Sequence, residues 1–215
     1  MEDNYRDEIA NILIEIESVK FSFEKPFILT SGNKSPVYVD CRKIISFIKQ
    51  RKIILSYAEK YILENNIKFD LLAGGETAGI PYASFLAERL NKPMIYVRKK
   101  NKGFGKNQQI EGSFNNNQKA ILIEDLATDG ASKVIFVEAL RKFNIDVKDI
   151  LVIFYYNIFN SKDSPIKNLN VKIHYLCSWK NIFNIIEKNK ILKNNQIENL
   201  KFFLSEPEKW RKSYE

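Results

Sequence analysis

Short apolar runs alternate with amphipathic segments along most of the chain. Apolar residues at helical spacing predict helices at residues 7–18, 47–65, 80–90 and 131–143, and the pattern is again helical from residue 179 onward. Mostly apolar runs predict strands at residues 69–73, 94–97, 120–124, 150–155 and 171–176. Strands separated by helices are typical of βαβ units, so the pattern predicts an α/β fold with a mostly parallel central sheet flanked by helices.

The region before the second helix has a different pattern. Two extended segments, residues 27–30 and 35–42, flank the turn formers Ser31, Gly32 and Asn33 and predict a hairpin. The chain therefore divides into an N-terminal helix and hairpin, an α/β core and a C-terminal helical segment, at residues 1–45, 46–178 and 179–215.

Composition and charge narrow the class of protein. The 215 residues are 45% hydrophobic, which is enough for one main globular unit, and the apolar runs are far shorter than the ~20 residues that cross a bilayer. The net charge of +8 is spread along the chain without a long basic run interleaved with aromatics, so no nucleic-acid partner is expected. Two cysteines, Cys41 and Cys177, are too few for a disulfide framework. With a polar N-terminus unlike a secretory signal, these features predict a cytoplasmic protein without membrane attachment.

Residues 121–133 carry the clearest chemical pattern. A predicted strand leads into the adjacent carboxylates of Glu124 and Asp125, and a loop with threonine, glycine and serine leads into the next helix. Loop amides and a helix N-terminus at the carboxyl end of a strand suit a phosphate. The carboxylates can accept hydrogen bonds from sugar hydroxyls and help to seat Mg²⁺, although a strand-end acidic pair alone is more often a helix cap or a solvated corner.

Two further segments have compositions that suit anions. Gly75 and Glu76 lie in a glycine-rich turn between a strand and a helix, where backbone amides can approach a ligand, although such turns are common for structural reasons alone. Residues 98–106 hold five cations, which a solvated surface loop would also show. Most of these cations lie at the start of residues 99–117, a stretch that has no apolar periodicity. A loop of that length is either functional or disordered.

Together these segments resemble the type I phosphoribosyltransferases, whose signature for 5-phosphoribosyl 1-pyrophosphate (PRPP) is similar to residues 121–133. Residues 27–42 resemble the base-covering hood distinctive of the orotate phosphoribosyltransferases, and the glycine-phenylalanine-glycine sequence at 103–105 is similar to one subgroup. The resemblance covers most of the chain. It implies a Mg²⁺-dependent pentosyltransferase that joins orotate to PRPP in pyrimidine biosynthesis, acting as a homodimer whose catalytic loop reaches the neighbouring subunit.

The resemblance also implies roles for individual residues. Three are implied to be catalytic: Lys99, Lys102 and Asp125. The implied PRPP-binding residues are Gly75, Glu76, Arg98, Lys99, Lys102, Glu124, Asp125, Ala127, Thr128, Asp129, Gly130, Ala131 and Ser132. The metal is expected to be held through PRPP near the acidic pair, with no protein ligand assigned to it.

Several positions depart from the family's pattern. Phe104 stands in place of the usual loop histidine, Thr30 in place of a frequent lysine, and Asp129 in place of a small uncharged residue. The only histidine of the chain, His174, is expected to be structural.

The binding of orotate must also differ from the family's pattern. Many members carry an arginine after the fifth strand, where this chain has tyrosine, tyrosine and asparagine at 155–157. Orotate binding is therefore predicted for Thr128, Lys34 and Arg42.

Two alternatives remain at the level of sequence. A phosphoribosyltransferase for a purine or uracil would keep the acidic pair but should lack the segment at 27–42. A non-catalytic PRPP-binding regulator of nucleic acid would not need the lysine-rich loop, and its affinity for RNA or DNA would fall steeply with salt.

Overall fold

The N-terminal region forms a helix and two small antiparallel sheets in the computed structural model, which describes residues 2–29, 32–100, 109–128, 130–158 and 165–214. Helix α1 is Glu2–Glu15, followed by strands β1 (Val19–Phe21), β2 (Phe27–Ile28), β3 (Lys34–Ser35) and β4 (Val37–Val39). Strands β2 and β3 pair antiparallel, which confirms the predicted hairpin. The helix ends earlier than predicted because Glu17 takes a left-handed conformation, with φ of 54°.

The prediction of one extended segment over residues 35–42 is wrong. β3 pairs with β2, whereas β4 leaves the hairpin and pairs with β1. Pro36 separates the two strands, and because proline has no N–H to donate to a ladder, the chain changes partners there. The residues after β4 form a short 3₁₀ helix, Cys41–Ser46, with the Asp40 carboxylate accepting from the Arg42 N–H at its start.

The core alternates helices with strands, as the apolar pattern predicts. In chain order it contains α2 (Ile48–Glu64), β5 (Leu71–Gly75), α3 (Gly79–Leu90), β6 (Met94–Val97), β7 (Ile110–Glu111), β8 (Lys119–Ala127), α4 (Ala131–Lys142), β9 (Asp146–Tyr155) and β10 (Lys172–Ser178). A 3₁₀ helix at Pro165–Leu169 precedes β10. The sheet has the order β10-β9-β8-β5-β6-β7, and its strands are parallel except for β7.

The short strand β7 contradicts the expectation that residues 99–117 lack regular structure. It pairs antiparallel with β6 at the edge of the sheet, Tyr96 opposite Glu111 and Val97 opposite Ile110. A strand of two residues is too short to show a period, so only its partner reveals it.

Three helices close the chain and pack with the N-terminal helix on one face of the sheet. They are α5 (Trp179–Asn189), α6 (Asn194–Ser205) and α7 (Pro207–Lys212). Side chains alternate across the strands: Ile121 and Ile123 pack on this face, while Ala120 and Leu122 pack on the other, beneath α4. In the part of the chain that the structure describes, no helix is both long and apolar enough to span a membrane.

Candidate active site

A cavity of about 750 Å³ opens at the carboxyl ends of the parallel strands. Its walls come from the turn after β5, the ends of β6 and β8, the start of α4, the hairpin with β4, and the C-terminal helices. The predicted site residues among those that line it are Arg42, Glu76, Lys99, Glu124, Asp125, Thr128 and Ser132. The fold thus brings together side chains from segments that lie far apart in sequence.

The acidic pair lies within β8 rather than after it, because this strand continues to Ala127. Glu124 is 5% exposed, and its Oε2 accepts a hydrogen bond of 2.6 Å from Nζ of Lys133, which is 4% exposed. Burial raises the pKa of both Glu124 and Asp125, and the positive charge of Lys133 partly offsets that rise. Lys133 was not assigned a role from sequence, although it is the counter-charge that makes a buried carboxylate tolerable here.

The glycine-rich turn is shaped around Glu124. A side chain at Gly75 would collide with the Glu124 carboxylate and would lie 2.8 Å from the Phe136 ring, and one at Gly79 would lie 2.7 Å from Glu124 Oε1. The Glu76–Thr77 peptide bond is cis, and Thr77 and Ala78 line the cavity beside Glu76. Glycine is therefore needed at 75 and 79 because the buried carboxylate occupies the space of a Cβ.

The predicted phosphate loop connects β8 to α4. Ala127 is a buried strand residue, and Tyr156 N–H donates to its carbonyl at 2.9 Å. Gly130 precedes α4 with φ of 91°, and Ser132 lies in the first turn of the helix, which begins at Ala131. Ser132 and Lys133 line the cavity, so the N-terminus of α4 lies at its wall, an arrangement suited to a phosphate.

Replacing Gly130 with alanine is expected to destabilise the protein by about 1–3 kcal/mol, because alanine is strained at that φ. The added methyl group would also overlap Ile166 of the 3₁₀ helix that packs over the loop. Urea unfolding would measure the loss. The double variant Gly130→Ala/Ile166→Ala should recover only the steric part, whereas unchanged stability of Gly130→Ala would contradict the strained geometry.

Two cations mark the start of the long loop. The Lys99 N–H donates to Glu76 Oε2 at 2.8 Å, and the Lys99 side chain is exposed at the cavity. The Arg98 side chain donates to Glu111 at 3.1 Å and lies 3.8 Å from Glu76, and Arg98 is not among the described residues that line the cavity. Arg98 therefore ties the base of the loop to β7, and its predicted contact with PRPP stays a prediction.

The hairpin side of the cavity holds the other predicted cations. Arg42 Nε donates to Asp40 Oδ1 at 2.6 Å, and its Nη2 donates to the Tyr38 hydroxyl at 3.1 Å, so Asp40 raises the pKa of Arg42. Lys34 is not among the described residues that line the cavity, and its Nζ donates to the Tyr214 carbonyl at 2.5 Å. Lys34 thus joins the hairpin to the C-terminus.

Besides Lys133, several cavity residues have no counterpart in the sequence-based assignment, and three of them lie in the C-terminal part of the chain. Tyr156 follows β9, Phe203 is a buried residue of α6, and Arg211 lies on α7. The sequence shows an aromatic cluster near the C-terminus, but no spacing or motif in it indicates that these residues face the same cavity as Asp125.

Two predicted site residues, Lys102 and Asp129, lie outside the described part of the chain. The hairpin-turn residues Thr30 and Ser31 and the loop residue Phe104 lie outside it as well. Their roles stay predictions. His174, by contrast, is described and 2% exposed, with its ring between Asp149 at 2.7 Å and the Tyr61 hydroxyl at 3.1 Å.

The donors around the cavity fit a magnesium ion that is held mostly by its substrate. Among the described residues, no group of three or more histidine, cysteine, aspartate or glutamate side chains is arranged to hold a metal. Asp125 and Glu76 nevertheless present carboxylates to the cavity, and Oε1 of buried Glu124 has no hydrogen-bond partner within the described ranges. Mg²⁺ is commonly bound by one or two carboxylates together with waters and substrate phosphates.

Comparison with known proteins identifies relatives over almost the whole chain. No protein-family model matches it. The orotate phosphoribosyltransferase of Rhizobium rhizogenes is 42% identical over 204 residues, which are 94% of this chain and 88% of that protein. Among solved structures, an orotate phosphoribosyltransferase from Aeropyrum pernix has a TM-score of 0.72 at 26% identity, over 86% of this chain and 99% of that one. The UMP synthase of Leishmania donovani has a TM-score of 0.78 at 24% identity and covers 94% of this chain, which spans only 42% of that longer one.

Proposed function

The chain belongs to the orotate phosphoribosyltransferase family, and from this membership we propose how its cavity carries out the reaction. The enzyme is a pentosyltransferase that joins orotate to the ribose 5-phosphate of PRPP, with release of pyrophosphate, in pyrimidine biosynthesis. The main observation that supports this location of the site is that Glu124 and Asp125 line the cavity. They directly precede the loop that leads to the N-terminus of α4. Family membership decides against a purine or uracil enzyme and against a non-catalytic regulator.

In the proposed PRPP site, each part of the substrate is bound by a different wall of the cavity. Thr128, Gly130 and the first turn of α4, with Ala131 and Ser132, bind the 5-phosphate through backbone amides and hydroxyls. Glu124 and Asp125 accept hydrogen bonds from the ribose hydroxyls. The supporting observation is that both carboxylates line the cavity beside that loop.

The proposed pyrophosphate site lies between the glycine-rich turn and the long loop. Gly75 and Glu76 bring backbone amides near the leaving group, and Lys99 and Lys102 stabilise the negative charge that develops on it. As pyrophosphate leaves, the anomeric carbon gains positive charge, and orotate N1 attacks from the opposite face. No covalent residue is required, so the protein acts by orientation and charge stabilisation.

Mg²⁺ is proposed as a cofactor that is bound mainly by the substrate PRPP, near Glu124 and Asp125. When bound, it would neutralise charge on the pyrophosphate. The protein would contribute nearby carboxylates rather than a complete set of metal ligands. The support is the donor set of the cavity described above.

The reaction is tested by the loss of orotate absorbance on adding PRPP and Mg²⁺, with uracil, hypoxanthine and adenine followed in parallel for nucleotide formation. Turnover is expected with orotate alone and should stop when the metal is removed with EDTA and return when Mg²⁺ is restored. Binding of PRPP without turnover of any base would contradict the assignment. Turnover that persists in EDTA would contradict the metal requirement alone.

We also propose a homodimer in which residues 101–108 of one subunit act at the cavity of the other. A Lys102→Ala chain and an Asp125→Asn chain should each be nearly inactive. After subunit exchange in an equal mixture, half of the dimers are mixed and one site in each is intact, so about a quarter of wild-type activity should return. A mixture with no recovery, despite a dimeric mass by light scattering, would show that the loop acts within its own subunit.

The location and the segment boundaries also stay proposals. A cytoplasmic enzyme is supported by the two cysteines, Cys41 and Cys177, which are buried and unpaired with each other in the structure. The three segments at 1–45, 46–178 and 179–215 share one hydrophobic core on the sheet face that is covered by the N-terminal and C-terminal helices. They are therefore proposed as parts of one globular unit.

A further inference from the structure

The hairpin of β2 and β3 forms part of the cavity wall without belonging to the central sheet. In the described part of the chain the two strands pair only with each other. Leu29 and Asn33, at the turn end of the hairpin, line the cavity, and the Leu29 N–H donates to the Asn33 carbonyl at 2.9 Å. Because an isolated two-stranded hairpin is only marginally stable in water, the position of this wall depends on contacts from other elements.

Tyr214, which follows α7, supplies such contacts on both sides of the hairpin. On the β3 side, Nζ of Lys34 donates to the Tyr214 carbonyl at 2.5 Å. On the β2 side, the Tyr214 hydroxyl donates at 2.9 Å to the carbonyl of Phe23, in the segment that leads into β2. One residue thus joins the chain entering the hairpin to the strand leaving it, although about 180 residues separate it from both in sequence.

Tyr214 is itself held by α6 and α7. Its ring stacks on Trp210 with the centroids 4.3 Å apart, and its hydroxyl accepts from Nδ2 of Asn199 at 3.2 Å. Trp210 is fully buried, and its Nε1 donates to Asn199 Oδ1 at 2.6 Å. The Trp210 ring packs edge-on against Phe203, with centroids 5.2 Å apart. Asn199, Trp210 and Tyr214, the C-terminal anchor, therefore connect the hairpin to the buried core.

The wall that the hairpin forms is suited to a flat base. In the proposed site, PRPP is bound by the loop before α4 and by the glycine-rich turn, which are other walls of the cavity. The hairpin side presents Leu29 and the ring of Tyr38, apolar surfaces that can pack against a heterocycle. Phe27 of β2 contacts the Tyr38 ring, with the centroids 5.8 Å apart. A displaced hairpin would therefore change the surface that meets the base.

We propose that Tyr214 is a positioning residue for orotate: it holds the hairpin in the place where the hairpin meets the base. Tyr214 is not among the described residues that line the cavity, so its effect passes through the hairpin rather than through contact with substrate. This inference rests on the proposed function, which supplies the base. Only molecules with the hairpin in place bind orotate fully, so loss of the C-terminal anchor weakens orotate binding and leaves PRPP binding intact.

The kinetic test compares two variants of Tyr214, with each substrate varied in turn. Tyr214→Ala removes the hydroxyl contacts and the stacked ring, so the KM for orotate should rise about 10-fold, the scale of one or two lost hydrogen bonds. The KM for PRPP, and kcat at saturating orotate, should change less than about twofold. Tyr214→Phe keeps the ring on Trp210 and loses only the hydroxyl, so its KM for orotate should lie between those of Tyr214→Ala and wild type.

Hydrogen exchange followed by mass spectrometry measures the hairpin itself. In Tyr214→Ala without ligands, peptides that contain β2 and β3 should exchange about 10-fold faster than in wild type, in step with the KM for orotate. Peptides from β8, in the centre of the sheet, should exchange as in wild type.

Tyr57→Ala is the matched control. Tyr57 of α2 also joins two elements by its hydroxyl and its ring, through Glu8 and Tyr5 of α1, and it is not among the described residues of the cavity lining. This variant should leave the KM for orotate and the exchange of the hairpin unchanged.

Several results would overturn the proposal. They are an unchanged KM for orotate in Tyr214→Ala, equal rises in the KM of both substrates, exchange of the hairpin as in wild type, or unfolding of both Tyr214 variants. If the wild-type protein fails to turn over orotate, the proposed function fails instead, before any variant is compared.

Discussion

Replacing Asp125 with asparagine should lower kcat/KM for PRPP about 100-fold, the scale on which a positioned electrostatic group acts in catalysis. The Asp125 carboxylate faces the cavity, and burial raises its pKa, a rise that Lys133 and the N–H of Leu126 offset only in part. Asparagine keeps the shape but loses the negative charge beside a ribose that becomes positively charged as pyrophosphate leaves. Steady-state kinetics with varied PRPP would measure the loss.

Asp146→Asn is the control for this variant. Asp146 is the first residue of β9, at the end of the parallel strands away from the cavity, where it pairs with Lys148 at 3.4 Å at the surface. The Asp146→Asn variant removes one negative charge from the same sheet and should leave kcat/KM for PRPP unchanged. If Asp125→Asn keeps wild-type kinetics with an intact fold, Asp125 has no part in the reaction and the ribose must be held elsewhere.

Replacing Lys133 with methionine should destabilise the protein by about 3–5 kcal/mol, because it leaves the buried Glu124 without its counter-charge. Both side chains of the pair are buried, and Glu124 Oε1 has no other partner among the described residues. For a chain of this length the loss corresponds to a drop in Tm of roughly 6–20 °C. Thermal unfolding followed by circular dichroism would measure it.

Two further variants test whether the loss comes from the broken pair. Lys142→Met removes an exposed lysine from the end of the same helix and should leave Tm nearly unchanged. The double variant Lys133→Met/Glu124→Gln removes both charges and should recover much of the stability, since removing a whole buried pair costs less than removing one partner. If the double variant loses as much stability as Lys133→Met and Glu124→Gln lose together, the two side chains are not coupled.

These two predictions concern one arrangement with two functions. Gly75 and Gly79 leave room for Glu124, Lys133 neutralises it, and Asp125 beside it is left facing the cavity. The buried pair thus fixes the end of β8, so that the neighbouring carboxylate and the loop to α4 keep their positions. Preorganisation of this kind is what a reaction without a covalent intermediate depends on.

Much of the candidate site could be predicted from the sequence because its parts are formed by neighbouring residues. The acidic pair, the loop after it and the glycine-rich turn each occupy consecutive residues, and their chemistry follows from residue type and from their place between a strand and a helix. Contacts between distant segments mark the limit. The Lys34 ammonium donates to the carbonyl of Tyr214, 180 residues away, and no local pattern encodes such a contact, while the assignment of Lys34 to orotate stays a prediction.

The sequence by itself determined the α/β class, the order of the helices and parallel strands in the core, and the family, because apolar periodicity and short motifs are properties of neighbouring residues. Only the tertiary structure decided that β4 pairs with β1, that Lys133 is buried against Glu124, and that Arg211 reaches the cavity of Asp125. These outcomes depend on which distant surfaces pack together. That packing is governed by the whole core, which spans the chain from Ile9 to Trp210.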